Sequence, residues 1–273
     1  MWQCGGKETY QALQPSDRTM SKMNLQIDPT DNVIAKLRDL VVILHLEAQS
    51  VFSTRYKDYG WQATLGKPAA FFFNSAPLAM FHPHVVGTVE GESNTWIWAW
   101  DGAEDSSDDV FALSRKVHDL GEALQFLPFT TARHKIGQGP LGDDWKVVPY
   151  SGPECAVPAD FMFAALALAD LPTPLIYGGP TGKDGSVIWF VLENEDEFSL
   201  PPAKMATSLA AITEALRAGL IANHRDAVLS YAQKREGITV SESSSGIKLS
   251  LMDGHIDVIF GQDGLISSLE GSA

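Results

Sequence analysis

Cysteine is nearly missing from this 273-residue chain: Cys4 and Cys155 are the only two. That excludes a disulfide framework as the source of stability and fits a reducing compartment. Basic side chains are scarce as well, with 20 Lys and Arg against 34 Asp and Glu, a net charge of −14. Nucleic acid needs a basic face to neutralise its phosphates, so no nucleic-acid partner is expected. An anionic membrane surface would repel such a chain, so no membrane partner is expected either. Long apolar runs are lacking too. The longest, Leu40–Leu46 and Phe161–Ala169, fall well short of the roughly 20 residues that cross a bilayer. The opening residues Met1 to Gly6 show no basic stretch followed by an apolar one, so no signal peptide is expected and the expected location is cytoplasmic.

What is present describes a globular protein: 45% hydrophobic and 20% charged residues give ample material for a core. Residues 1–29 are polar and aperiodic and read as a flexible tail. From Thr30-Asp31, apolar residues from Val33 to Phe52 recur at three- and four-residue steps, predicting a helix that ends before Gly60. The period then changes to two. Trp61–Leu65, Ala69–Asn74, Met80–Val89 and Thr95–Asp101 read as an antiparallel meander, and a second helix follows with its stripe at Val110, Leu113, Val117, Leu120 and Leu124. This places one unit at 30–127 and a Gly- and Pro-rich connection at 128–157, with one short strand near Lys146–Val148.

Residues 158–273 repeat the order. A small-residue helix at Ala159–Ala169 precedes strands at Leu175–Tyr177 and Ser186–Leu192. Helices follow from Pro202 and after the capping residue Asn223, then four short strands between Ile238 and Leu269. The fold expected is α+β, two helix-plus-antiparallel-meander units, for which a degenerate internal repeat is one reading.

The most distinctive stretch is Thr95-Trp96-Ile97-Trp98-Ala99-Trp100. With Glu47 and Gln49 on the preceding helix, Gly60-Trp61, Gly87-Thr88 and Gly121-Glu122, it resembles an uncharacterised bacterial family classed only as a domain of unknown function, over roughly residues 33–193. The resemblance implies a bacterial α+β domain and carries no activity or catalytic residue with it.

Candidate sites follow from side-chain chemistry. Trp96, Trp98 and Trp100 alternate with smaller residues, which puts three indoles on one strand face. Such a face is either a layer packed beneath a helix or a platform for a sugar, a planar ligand or a proline-rich peptide. His82 and His84 flank Pro83 and point the same way. Two imidazoles can share a metal, but a site needs a third ligand, and His118 with Glu122 is the only neighbour on offer; neither a metal nor a cofactor is expected. Gly137–Gly142 matches GxGxxG without the strand and helix that give that motif its use. Gly178–Asp184 imitates a phosphate loop but has Asp184 where the hydroxyl belongs. No serine sits in a GxSxG setting, and Glu154 beside Cys155 disfavours its thiolate, so no catalytic residue is assigned.

Two acidic clusters, Glu104, Asp105, Asp108 and Asp109, then Glu193, Glu195, Asp196 and Glu197, lack the oxygen spacing of a calcium loop. They are where a basic protein would land. The expected function is thus a non-catalytic binding or interaction protein of the bacterial cytosol, an acidic regulator or immunity-type inhibitor of a basic partner. The alternative is a small-molecule-binding protein or hydrolase-type enzyme that uses the Trp96, Trp98 and Trp100 face with nearby histidines.

Overall fold

The computed structural model describes residues 32–66, 68–102, 109–136, 158–181, 185–193 and 196–273. The expected tail, the Lys146–Val148 strand, Gly137–Gly142 and both cysteines lie outside these residues. The apolar steps from Val33 onward wind into two helices where the periodicity predicted one, α1 (Val33–Asp39) and α2 (Val42–Tyr56). Asn32 caps α1 by accepting the Ala35 N–H at 3.1 Å. The break after Asp39 is imposed from far along the chain. The Asp39 carboxylate accepts the backbone N–H groups of Ala222 and Asn223 at 2.9 and 2.7 Å, and the Leu40 carbonyl accepts the Ser230 hydroxyl at 2.8 Å. Those groups belong to the start and body of a helix 183 residues downstream, so no local pattern announces the interruption.

Five antiparallel strands follow in sequence order: β1 (Trp61–Thr64), β2 (Ala70–Phe73), β3 (Ala79–Glu90), β4 (Thr95–Trp98) and β5 (Arg133–Lys135). A hairpin from beyond the connection, β6 (Leu175–Pro180) and β7 (Val187–Glu193), then pairs onto β3. β3 is the hub. It pairs with β2 through Ala79–Phe81, with β4 through Gly87–Glu90 and with β7 from His82 to Val89. Because β4 and β7 share the stretch Gly87–Val89, they must lie on its opposite edges. Alternation along β3 sends Ala79, Phe81 and Val85 into an aromatic core with Phe52, Tyr56, Phe71, Phe73, Phe190 and Phe198. There Tyr56 stacks on Phe73 at 4.8 Å and Phe52 meets Phe73 and Phe198 edge-on at 5.5 Å. Each such ring contributes about 1.5–3 kcal/mol by leaving water.

The sheet's other face is covered by α3 (Ala112–Leu124), the one-turn helix α4 (Leu127–Thr130) and α5 (Pro158–Ala169). α5 is apolar all round and buried from Phe161 to Leu168, as a helix packed on every side must be. Its one buried acid, Asp160, meets Arg38 of α1 at 2.9 Å.

Beyond Pro201-Pro202 the helices α6 (Met205–Arg217) and α7 (His224–Lys234) pack on a separate four-stranded meander, β8 (Thr239–Glu242), β9 (Gly246–Leu251), β10 (Gly254–Phe260) and β11 (Ile266–Ser272). Asn223 caps α7 as the sequence predicts, accepting the Asp226 N–H. The helices and both meanders make an α+β fold. Two parts meet at Glu47 of α2, whose carboxylate takes a bidentate pair from Arg235 at 2.8 and 3.0 Å and the Tyr231 hydroxyl at 2.8 Å.

The core also holds an ionisable group that must stay neutral. His45 of α2 is 7% exposed, and its Nδ1–H donates to the Pro174 carbonyl at 3.0 Å. Burial pulls its pKa from 6.5 down to about 4. The unfolded chain therefore binds a proton near pH 6.5 that the folded chain refuses until about pH 4. Stability is full above that window and declines across it as the pH falls, by up to roughly 3 kcal/mol. Urea midpoints measured from pH 7 to 4.5 should drop for the native chain and drop less for His45→Gln; equal slopes would show that His45 plays no part.

Candidate functional site

His82 and His84 stand on the face of β3 opposite the aromatic core, because Phe81 and Val85 take the inward positions. Their rings lie 4.8 Å apart, edge to face. In the β3–β7 register Glu193 is opposite His82, and its Oε2 reaches Nε2 of His84 at 2.8 Å. A carboxylate from another element lies near this group: Asp109 opens a 3-10 turn, Asp109–Phe111, that packs against β3, and its charge acts on His82. Two histidines and one member of each acidic cluster are thus brought together on one partly exposed surface. Burial lowers the pKa of His82 first, and His84 lowers it further against the opposing pull of Glu193 and Asp109. His82 is therefore neutral at pH 7, a hydrogen-bonding group rather than a cation.

A bulge separates this group from the tryptophans. Val85 pairs with Phe190 and Gly87 with Trp189, leaving Val86 as the extra residue. The bulge keeps His84 and Gly87 on the same face although they are three apart. The carbonyl of Val86 accepts the buried Ser114 hydroxyl at 3.0 Å, and that oxygen in turn accepts the Trp100 N–H at 3.2 Å. Gly87 is needed for a close approach: a Cβ there would lie 2.3 Å from the indole of Trp96.

The three indoles do not share a face. The strand ends at Trp98 and the chain turns into a 3-10 helix, Ala99–Gly102, so the expected strand to Asp101 is too long. Trp96 and Trp98 are 0% and 1% exposed. Phe161 of α5 closes on both rings, at 5.4 and 4.7 Å, and the Trp98 Nε1–H donates to the Pro128 carbonyl. Both indoles thus belong to a packed layer. Trp100 is carried off that layer, half-buried, with its ring 4.4 Å from His118. His118 keeps only long contacts to Asp119 and Glu122, at 3.9 and 3.8 Å.

The remaining acids divide. Glu104, Asp105, Asp108 and Glu195 lie outside the described residues. Asp196 is exposed. Glu197 is already engaged, accepting the Tyr56 hydroxyl at 3.0 Å with Arg55 at 3.5 Å; burial and this carboxylate push Tyr56 up to about 12, so it stays a donor. Among the described residues, no three His, Cys, Asp or Glu side chains are arranged to hold a metal ion. The cavity beside Glu193, lined mainly by Leu171, Pro172, Leu175, Leu192 and Phe198, has about 10 Å³, room for one water.

A family model matches residues 35–195, from α1 to just past β7. The chain belongs to that family, the family of unknown function DUF6882. No match was found among curated proteins or solved structures. The DUF6882 match takes in the whole seven-stranded sheet and the His82, His84, Asp109 and Glu193 group, and leaves out α6, α7 and the second meander. Inside it, residues singled out in the sequence serve packing. Gln49 accepts the Ile176 N–H at 3.4 Å, tying α2 to β6. A Cβ on Gly121 would lie 2.6 Å from Phe129, so glycine lets α4 fold back on α3. The sequence offered no sign that Asp109 and Glu193 both come near His82, since the β3–β7 pairing brings one and the packing of the 3-10 turn on β3 brings the other.

The two settings of tryptophan predict different costs. Trp98→Ala removes an enclosed ring and should lower unfolding stability by about 3–5 kcal/mol, and Trp100→Ala by less than about 2 kcal/mol. Denaturant titration followed by far-ultraviolet circular dichroism checks this, and a Trp98→Ala loss under about 1 kcal/mol would contradict the packed layer.

Proposed function

We propose that this protein is a non-catalytic binding protein of the bacterial cytosol that receives a basic protein partner, as an acidic regulator or immunity-type inhibitor does. The observation that carries the reading is the convergence of Asp109 and Glu193 from separate elements around His82 and His84. A chain of net charge −14 attracts a cationic protein from a distance, and a local group of carboxylates beside the His82 and His84 rings fixes where it settles. The enclosure of Trp96 and Trp98 favours this reading over an aromatic platform. The cytosolic setting rests on the two cysteines and the lack of a long apolar run.

The test uses an oligolysine probe on the full chain. Asp109→Asn with Glu193→Gln should weaken binding about tenfold or more in low salt, whereas Asp58→Asn with Glu214→Gln, the same change in charge at two exposed positions elsewhere, should weaken it much less. The pH dependence has a definite sign. Protonation of His82, beside His84, Glu193 and Asp109, adds positive charge to the surface. Because burial lowers its pKa from 6.5, the loss of affinity that its protonation causes should set in at a lower pH than for a solvent-exposed histidine. Equal losses in the two double variants would contradict the assignment of the surface.

A further inference from the structure

The histidine surface does not end at His82. Along β3, Leu78, Met80, His82 and His84 occur at two-residue steps, so the side chains from Met80 onward share one face of the strand and Leu78 leads into it from the turn. Across the sheet Met80 pairs with Phe72, and Phe72 with Gln62 of β1. Among the described residues, the helices that cover this face farther along do not bury this corner: Leu78 is 55% and Met80 54% exposed, and Phe72 is half-buried. The opposite face of the same three strands is the aromatic core, with Phe71, Phe73 and Phe81 at 0–1% exposure. The contrast is within one sheet, one face closed and the other open. Two large apolar side chains kept more than half in water, next to a half-buried ring, mark an interaction surface rather than a scattered exposed residue.

We infer that this corner of the sheet is a docking surface for a cationic amphipathic segment of a protein partner, its apolar side chains seated on Leu78, Met80 and Phe72 and its Lys or Arg side chains reaching Asp109 and Glu193. The choice of occupant comes from charge complementarity. The apolar row runs directly into His82, whose neighbours are Glu193 opposite on β7 and Asp109 on the 3-10 turn, and no Lys or Arg lies on β3 or β7. A second copy of this acidic chain would bring like charge to the same place. An amphipathic helix or strand with alternating basic and apolar residues matches both halves of the surface. The inference rests on the proposed function and specifies its partner: basic charge alone is insufficient, and apolar anchors are required as well.

Two probes separate the inference from the reading beneath it: an amphipathic Leu/Lys peptide and an oligolysine of equal charge, each titrated into the full chain. Leu78→Ser with Met80→Ser should weaken the amphipathic peptide at least about tenfold and leave oligolysine within about twofold. Met252→Ser, at a side chain 85% exposed elsewhere, should change neither. Because both altered side chains are mostly in solvent, the urea midpoint of the double variant should match that of the native chain; a large drop would show that the corner is a structural support and overturn the inference. Unchanged affinity for the amphipathic peptide, or no preference of the native chain for it over oligolysine, would also overturn the docking surface while leaving the acidic surface standing. If Asp109→Asn with Glu193→Gln alters neither probe, both fall together.

Discussion

The interaction on which the architecture depends is the pair between Glu47 and Arg235. Both side chains are 4% exposed, so both charges have lost nearly all their water. Taking an ion pair out of water costs several kcal/mol for each ion unless geometry and further hydrogen bonds compensate. Here they do. Nε and Nη2 of Arg235 engage both carboxylate oxygens, Nη2 also donates to the Pro201 carbonyl at 2.6 Å, and the Tyr231 hydroxyl donates to Glu47 while Ser208 lies 2.9 Å from it. Burial and the Glu47 carboxylate push the Tyr231 pKa up, which keeps the donor in place. The four side chains come from α2, α6, α7 and the residue after α7, so this carboxylate, with that of Asp39 at the start of α7, fixes the C-terminal helices against the family domain.

β3 is the second constraint, and it connects the core to the surface. A strand of twelve residues can pair with three others and still change its role along its length. Its inner residues close the aromatic core. The opposite face grades from Gly87 and the buried indoles, through the bulge at Val86, to His84 and His82, and then to open apolar side chains. The candidate site is therefore the margin of the core, where packing gives way to solvent. β7 pairs alongside it, and its charge comes from Glu193 at the end of that strand and Asp109 on the 3-10 turn packed against β3.

Much of this was legible in the sequence. A period of two located most of the strands, and Asn223 was readable as a cap because Asp226 sits at the right spacing. The aromatic strand was identifiable, and its burial was the simpler of the two readings. What could not be read is non-local. The break at Leu40-Val41 is flanked by hydrogen bonds to Ala222, Asn223 and Ser230 far along the chain, β5 lies in a stretch with no clear period, and the insertion of β6–β7 beside β3 depends on contacts about a hundred residues apart. Trp100 misled for a local reason: alternation persists in the letters after the backbone has turned into a 3-10 helix. Glu47 was noted only as part of a resemblance, because its partner stands 188 residues away.

The most direct test of this account is a double-mutant cycle on the central pair, read by urea unfolding at neutral pH. Arg235→Met leaves Glu47 buried without its cation and should lower stability by about 3–5 kcal/mol. Glu47→Gln in the same chain should recover part of that loss, giving a coupling of more than about 1 kcal/mol. An Arg235→Met variant within about 1 kcal/mol of the native chain, with no coupling to Glu47, would contradict the claim that this pair joins the two parts of the fold.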